Sequence, residues 1–468
     1  MKRSNIIIIL LLALAWSGCS VPSYVPTPNV VPAMFRNSPG VDSSSIGSIP
    51  LKSFITDPVA QALIDTALVK NYDLQIALKN IQTAEVLFKQ SKLGQLPELK
   101  LQVTGSTSRP SDNSLNGLSL SQFTGSTHIE DYSANLGLSW EADIWGKIRN
   151  QKAAALASFL QTEEARKAIQ TSLVANVAQG YYNLLMLDAQ LDVARKNLKL
   201  NDSTLRIIGL QFEAGQVTSL AVQQAEAQQL SAARLIPNLE KSLVLQENAL
   251  SVLIGTLPKS IERTSRLERI SVPENLSAGF PSSMLSRRPD IKSAELALSA
   301  ANAKVGVAKA SLYPALVITA SGGINSFKAS NWFNIPASLF GTVAGGLTQP
   351  VFQRGQLKAN LEVAKIDREK TVIEFRQSVL NAVGEVSDEL TKVEKLKLEY
   401  TLAEKRASTL QQASKNASLL FQSGMANYLE VITAQSNLLQ SELDLAALKT
   451  EQLNAVVGLY RALGGGWQ

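Results

Sequence analysis

Two hydrophobic periods alternate along the chain. In DLQIALKNIQTAEVLFKQSKLGQLPEL, residues 73–99, apolar positions recur in steps of three and four, which predicts an amphipathic helix. The same rhythm returns at 290–316 in DIKSAELALSAANAKVGVAKASLYPAL. Each stretch ends at a proline, Pro97 or Pro314, and beyond it the period drops to two. In YSANLGLSWEA the side chains of Tyr132, Ala134, Leu136, Leu138 and Trp140 share one side; Ser133, Asn135, Gly137, Ser139 and Glu141 share the other. LKLQVTGS alternates likewise from Leu99, as does Leu316, Ile318 and Ala320 against Val317, Thr319 and Ser321. Leu339, Val343 and Leu347 lie on one side of a glycine-rich run. Each half of the chain therefore predicts two strands joined by a polar loop, a hairpin with one apolar and one polar face.

After each hairpin the helical period resumes for an unusual length. From Asn150 to Leu210 there is no proline, and Leu173, Val177, Tyr181, Leu184, Leu187, Leu191, Ala194 and Leu198 form one stripe. Such a helix would be about 90 Å long, beyond the needs of a globular domain. Its counterpart, from about Lys358 to Leu420, carries Val379, Val383, Val386, Leu390 and Val393. Long helices with a narrow apolar stripe are suited to packing on other long helices.

The turn that follows is written twice, as FEAGQVTSLAVQQAEA from Phe212 and FQSGMANYLEVITAQS from Phe421. Gly146 and Gly355, Gly215 and Gly424, Leu220 and Leu429, and Gly255 and Gly464 are all 209 residues apart, whereas Pro97 and Pro314 are 217 apart. The difference of eight must fall inside the hairpin. The pattern predicts a duplicated unit of helix, hairpin, very long helix, turn and return helix. Its boundaries are 58–256, with a hairpin at 98–142, and 287–465, with a hairpin at 315–350; residues 257–286 link them. Gly215 and Gly424 supply the positive φ that a helix end needs. Arg288, Pro289 and Asp290 read as a helix start, and Pro237 as a kink in the first return helix.

The N-terminus changes the setting. Lys2 and Arg3 precede the apolar run IIIILLLALAW and small residues before Cys19, an export signal over 1–18. Cys19 is the only cysteine, so no internal disulfide is possible. WSGCS is similar to a bacterial lipobox, in which the thiol is acylated, although Trp16 stands where an aliphatic residue is usual. Cleavage after Ala15, leaving a free thiol, is the alternative. Prolines at 22, 26, 28 and 32 suit an extended tether over 19–57, with no packed element. In an exported chain, apolar/polar strands suggest a membrane β-barrel. Four strands cannot close one, so several copies must share it.

The motifs RRPDIKSAELALSAANAKVGVAKASLYPAL (287–316), DIWGK (143–147), PVFQRGQLKA (350–359) and the two turns resemble the TolC-like outer-membrane efflux channels, in the lipoprotein branch serving resistance-nodulation-division pumps. The resemblance runs from about Ser53 to Gly465. It implies an α+β membrane protein: a homotrimer whose twelve strands, four per chain, form one barrel in the outer membrane of a Gram-negative bacterium. A helical coiled-coil tunnel would continue it into the periplasm, lipid-anchored at Cys19. The turns at Gly215 and Gly424 would dock onto a periplasmic adaptor and an inner-membrane pump. Family channels often carry an acidic gate residue where this chain has Thr433, with Gln224 at the first-repeat position. Glu430, one turn earlier, is the substitute candidate for a carboxylate ring, or a solvated helix charge. Leu220 and Leu429 are candidates for a hydrophobic constriction or for packing.

Little supports other classes. One histidine, His128, and one cysteine leave no His-based triad, no Cys/His zinc site and no phosphate-cradling motif, so no enzyme is expected and no cofactor beyond the lipid. Met34, Met186, Met284 and Met425 are scattered, and suggest no copper or silver relay. The net charge of +6, or +4 once Lys2 and Arg3 leave with the signal, is spread along helices and argues against nucleic acid. A type I secretion channel of the same fold, or a periplasmic coiled-coil scaffold, are the alternatives; the scaffold leaves the hairpins unexplained.

Overall fold

The computed structural model describes residues 32, 34–36, 45–273, 277–279 and 281–467. The export signal, Cys19 and most of the tether lie outside these residues. The helices are α1 (Leu51–Phe54), α2 (Pro58–Lys70), α3 (Tyr72–Leu93), α4 (Leu115–Thr124), α5 (Lys147–Glu213), α6 (Ser219–Leu253), α7 (Pro281–Arg287), α8 (Pro289–Ala310), α9 (Gln356–Gln422) and α10 (Tyr428–Ala462). The strands are β1 (Glu98–Ser108), β2 (Ile129–Ala142), β3 (Ala315–Ser326) and β4 (Leu339–Thr348). Both long helices have 67 residues and both return helices 35, and all four begin at the same offset of 209. The hairpin loops, 109–128 and 327–338, differ by the eight residues the sequence required.

The chain forms two compact units. In one, made of 82–160 and 296–373, the strands pair in the order β1-β2-β3-β4, all antiparallel. The register puts Leu101 opposite Leu136, Leu138 opposite Ala320, and Leu316 opposite Leu347, so the apolar positions of all four strands share one face. The other face pairs Gln102 with Asn135 and Ser321 with Thr342, whose hydroxyls lie 2.7 Å apart. The DIWGK motif makes the strand-to-helix corner. Asp143 accepts hydrogen bonds from the N–H groups of Ile148 and Arg149, Gly146 takes φ +74°, and Lys147 pairs with Glu141 at 3.1 Å. Trp145 stacks on Tyr313 and donates to the Pro314 carbonyl at 2.8 Å. The first loop is not wholly irregular: α4 sits within it, its start capped by Ser114, which accepts from Gly117 N–H.

The second unit, 28–81, 161–295 and 374–468, holds the core. One cluster centres on Tyr181, Leu184, Leu185, Ile64 and Ile254; another on Val386, Leu459, Leu463 and Met284. The predicted stripe on α5 is buried as far as Ala194, apart from Leu187, which is half-buried. Beyond that point the buried positions pass to Asn197, Asn201 and Thr204, while Leu198 is half-buried, because a 3.6-residue helix drifts against a fixed seam. The tether reading needs correction at its C-terminal end. Phe35, Ile46 and Ile55 are buried and join these clusters, since large apolar side chains there gain more from burial than an extended chain gains from freedom.

Both halves of the chain close in the same way. Asn71 Nδ2 donates to the Leu253 carbonyl and Arg288 Nη1 to the Ala462 carbonyl, each at 2.8 Å, at matching positions of the two halves. Gly255 presses on the Lys70 backbone and Gly464 on that of Arg287. Pro289 opens α8 as expected, but Arg288 does more than precede it: its guanidinium binds Asp290 at 2.7 Å and Glu385 at 2.8 Å, and Glu385 also pairs with Arg461.

Candidate functional site

Four helices end in the same backbone device. At the α5 terminus Gly215 N–H donates to the Phe212 carbonyl and Gln216 N–H to that of Gln211; at the α9 terminus Gly424 and Met425 donate to Phe421 and Leu420. These paired bonds form a Schellman motif, which requires a left-handed residue, and the glycines adopt φ +71° and +73°. The same bonds recur at Gly255 and Gly464.

The two tip turns, between α5 and α6 and between α9 and α10, are brought together. Ile208, Ala221, Ala225, Phe421 and Val431 bury against one another, and Tyr428 donates to Gln224 Oε1 at 2.8 Å. The turns are not equivalent in their side chains. Asn427 caps α10 by accepting from the N–H groups of Leu429 and Glu430, and its amide donates to Glu430 Oε1 at 3.2 Å; Thr218, ahead of α6, makes no such side-chain bond. Phe421 is buried, whereas Phe212 is exposed.

Of the predicted site residues, Glu430, Thr433 and Gln224 are all exposed near this contact, and Leu220 and Leu429 are about half exposed at 55% and 53%. Cys19 lies outside the described residues. Sequence reasoning missed the Tyr428–Gln224 bond and Gln435, which is 1% exposed, donates to Thr204 Oγ1 at 3.0 Å through its side-chain amide and accepts from Asn197 Nδ2 at its main-chain carbonyl. Gln435 falls one position after Ala434 in the repeated turn, so its phase on α10 was the available signal.

The sheet is the second part of the site. Leu99, Leu101, Val103, Leu136, Val343 and Leu347 are exposed on one continuous face. The outer edges of β1 and β4 have no strand partner among the described residues. No helix among them is long and apolar enough to cross a membrane, and no three His, Cys, Asp or Glu residues among them are grouped as metal ligands.

Comparison with known proteins decides the family. The family model described as outer membrane efflux protein matches residues 63–256 and 280–465. The chain belongs to this family. It is 30% identical over 465 residues to the cation efflux system protein CusC of Escherichia coli O6:H1, with 98% of each chain covered. It is 29% identical to the probable outer membrane lipoprotein SilC of Salmonella typhimurium, over 96% of each chain. The open-state MtrE outer membrane channel of Neisseria gonorrhoeae superposes with a TM-score of 0.85 at 27% identity, covering 96% of this chain and 98% of that one. This outer membrane efflux protein is thus TolC-like, a channel former and not an enzyme, and its place is the outer membrane.

Proposed function

We propose that this outer membrane efflux protein is the exit duct of a tripartite pump, passing small solutes across the periplasm and outer membrane without chemistry. The working form is a homotrimer in which three four-stranded sheets close one twelve-stranded barrel. The two halves, 58–256 and 287–465, arose by duplication, and residues 257–286 join them. The carrying observation is the sheet: one exposed apolar face, one polar face and two unpaired edges. An apolar face of that extent suits lipid, and lipid does not tolerate open edges, so copies must complete one another. The polar face then lines the water-filled path.

The tips containing Gly215 and Gly424 dock onto a periplasmic adaptor that links the duct to an inner-membrane resistance-nodulation-division pump. Glu430, held by Asn427, supplies a ring of carboxylates near the narrow end, with Thr433 and Gln224 beside it and Leu220 and Leu429 as the apolar part of the constriction. Acylation of Cys19 anchors the chain.

Single-channel conductance in planar bilayers tests this reading, with heat-resistant trimers as the control for assembly. The native protein should give small, flickering currents, altered by Glu430→Ala and by Thr433→Asp. Well-folded protein without conductance would overturn the duct in favour of a scaffold; unchanged currents in both variants would remove Glu430 and Thr433 from the constriction.

A further inference from the structure

The excess positive charge, which the sequence spreads along helices, is gathered by folding. The register brings Glu98, Ala142, Ala315 and Thr348 to one end of the sheet, where all four strands meet their helices. The four junctions, 86–98, 142–154, 303–315 and 348–363, lie in one compact unit and hold nine lysines and arginines against three carboxylates. That excess of six equals the net charge of the whole chain. Further along α9, over 374–422, the signs balance at seven each, the mixture expected of a solvated helix.

The three carboxylates do not offset the excess. Glu98 pairs with Lys100 at 3.1 Å and Glu362 with Lys365 at 2.7 Å, both outside the junctions, and Asp143 caps α5. Carboxylates just beyond the junctions hold two of the nine cations, Lys89 through Glu85 at 2.6 Å and Lys147 through Glu141 at 3.1 Å. Arg149, Lys304, Arg354 and Lys358 are exposed and have no ion pair among the described residues. Apolar side chains stand out among them. Val351 is 96% exposed and Phe352 87%, just ahead of Arg354, and Leu96 and Ile144 are exposed in the α3–β1 and β2–α5 links. These links adjoin Leu99 and Leu347, where the exposed apolar face of the sheet ends. Apolar side chains followed within a turn by unpaired cations suit the boundary between hydrocarbon and headgroups: the apolar part sinks, and the long Lys and Arg stems lift their charge to phosphate.

We propose that the strand-to-helix junctions form a basic collar that selects anionic phospholipids in the leaflet next to the helices. Arg149, Lys304, Arg354 and Lys358 bind the headgroup phosphates, while Val351 and Phe352 enter the acyl region. Zwitterionic lipids carry the same phosphate, but their own ammonium cancels it. The collar rests on the barrel proposed above, which places the sheet in lipid.

The test uses the full-length protein carrying Trp332→Phe, reconstituted in phosphatidylcholine vesicles that contain either brominated phosphatidylglycerol or brominated phosphatidylcholine. Bromine quenches tryptophan on contact, and Trp140 and Trp145 flank the β2–α5 link. Trp332, at the opposite end of the sheet, has a ring N–H without a partner, so its replacement gives up no hydrogen bond. The anionic lipid should quench more strongly, with a relative association constant of about five, the effect of one cation near an anionic surface. Combining Arg149→Gln, Lys304→Gln, Arg354→Gln and Lys358→Gln should bring that ratio close to one and leave melting and heat-resistant assembly unchanged. Salt at about 1 M should do the same to the native collar. Combining Lys241→Gln, Lys397→Gln, Lys405→Gln and Lys415→Gln, exposed cations outside the junctions, should leave the ratio as it was. A ratio near one without these changes overturns the collar and leaves the barrel standing, because quenching by both lipids still puts Trp140 in the bilayer. Quenching by neither lipid overturns the barrel and the collar together. Equal loss in both fourfold variants overturns the collar, since net charge and not position would then set the preference. Failed assembly of the collar variant overturns it as well, because those cations would then be needed between chains.

Discussion

Alanine at the four helix-terminal glycines separates conformational strain from steric exclusion. Gly215, Gly424, Gly255 and Gly464 have nearly the same φ, +71°, +73°, +75° and +84°, so a Cβ meets the same left-handed penalty, about 1–2 kcal/mol, at each. Their surroundings differ. A Cβ on Gly215 or Gly424 meets nothing within 4 Å. On Gly464 it would lie 2.9 Å from the Arg287 carbonyl carbon and oxygen, and on Gly255 2.2 Å from the Lys70 oxygen and 2.6 Å from its carbon. Ordinary contact begins near 3.4 Å, so Arg287 must yield by about half an ångström and Lys70 by more than one. Overpacking of this kind adds roughly 1–3 kcal/mol, and more where backbone must move. Gly215→Ala and Gly424→Ala should therefore cost about 1–2 kcal/mol, Gly464→Ala about 2–4, and Gly255→Ala about 4 or more. Far-UV circular dichroism melting at one scan rate and in one detergent gives the ranking. If Gly255→Ala melts with or above Gly215→Ala, the close packing of Gly255 on Lys70 is wrong.

Glu385→Gln should cost about 1.5–3 kcal/mol, since Arg288, with 11% of its side chain exposed, keeps only Asp290 and the Ala462 carbonyl. The double variant Arg288→Met with Glu385→Leu should melt above Glu385→Gln, because no buried charge is stranded; additive losses would refute the coupling. Burial alone would push the Asp290 carboxyl up, but the Arg288 fork and backbone N–H groups outweigh it and hold it below the usual 3.8. A depressed folded value contributes stability that is present above that pH and lost as pH falls through the folded value, so melting should drop below about pH 4, and Asp290→Asn should flatten that drop. Leu136→Lys, on the apolar face, should cost about 2–4 kcal/mol and reduce the yield of heat-resistant protein in the outer membrane fraction. Asn135→Lys, on the opposite face, should not.

What the sequence made legible was periodic. Alternation in YSANLGLSWEA placed Leu136 and Trp140 on the exposed face before any register was known, and the offsets of 209 and 217 located the unequal loops. What it hid was non-local or compositional. Glu385 lies 97 positions after Arg288, so the local spelling of RRPD could suggest only a helix start. The residues of α4 are small and polar between their leucines, and a serine cap decides that they turn. Phe35 and Ile46 stand in a stretch that reads as linker, and only distant helices give them a surface to bury against. Tyr181 and Tyr182 are adjacent and identical, yet only folding reveals that Tyr181 is the one bonded to Asp57.

The unpaired edges of β1 and β4 bear on inheritance as well as on architecture. If the working form is the proposed trimer, each edge is completed by another chain, and a variant unable to pair through β1 spoils every ring that includes it. In a cell making equal amounts of native and defective chains, three-copy rings would be wholly native about one time in eight. Mutations at these edges should therefore behave as dominant negatives, silencing efflux even beside an intact gene, whereas changes confined to the buried core, which remove their own chain before assembly, should be recessive.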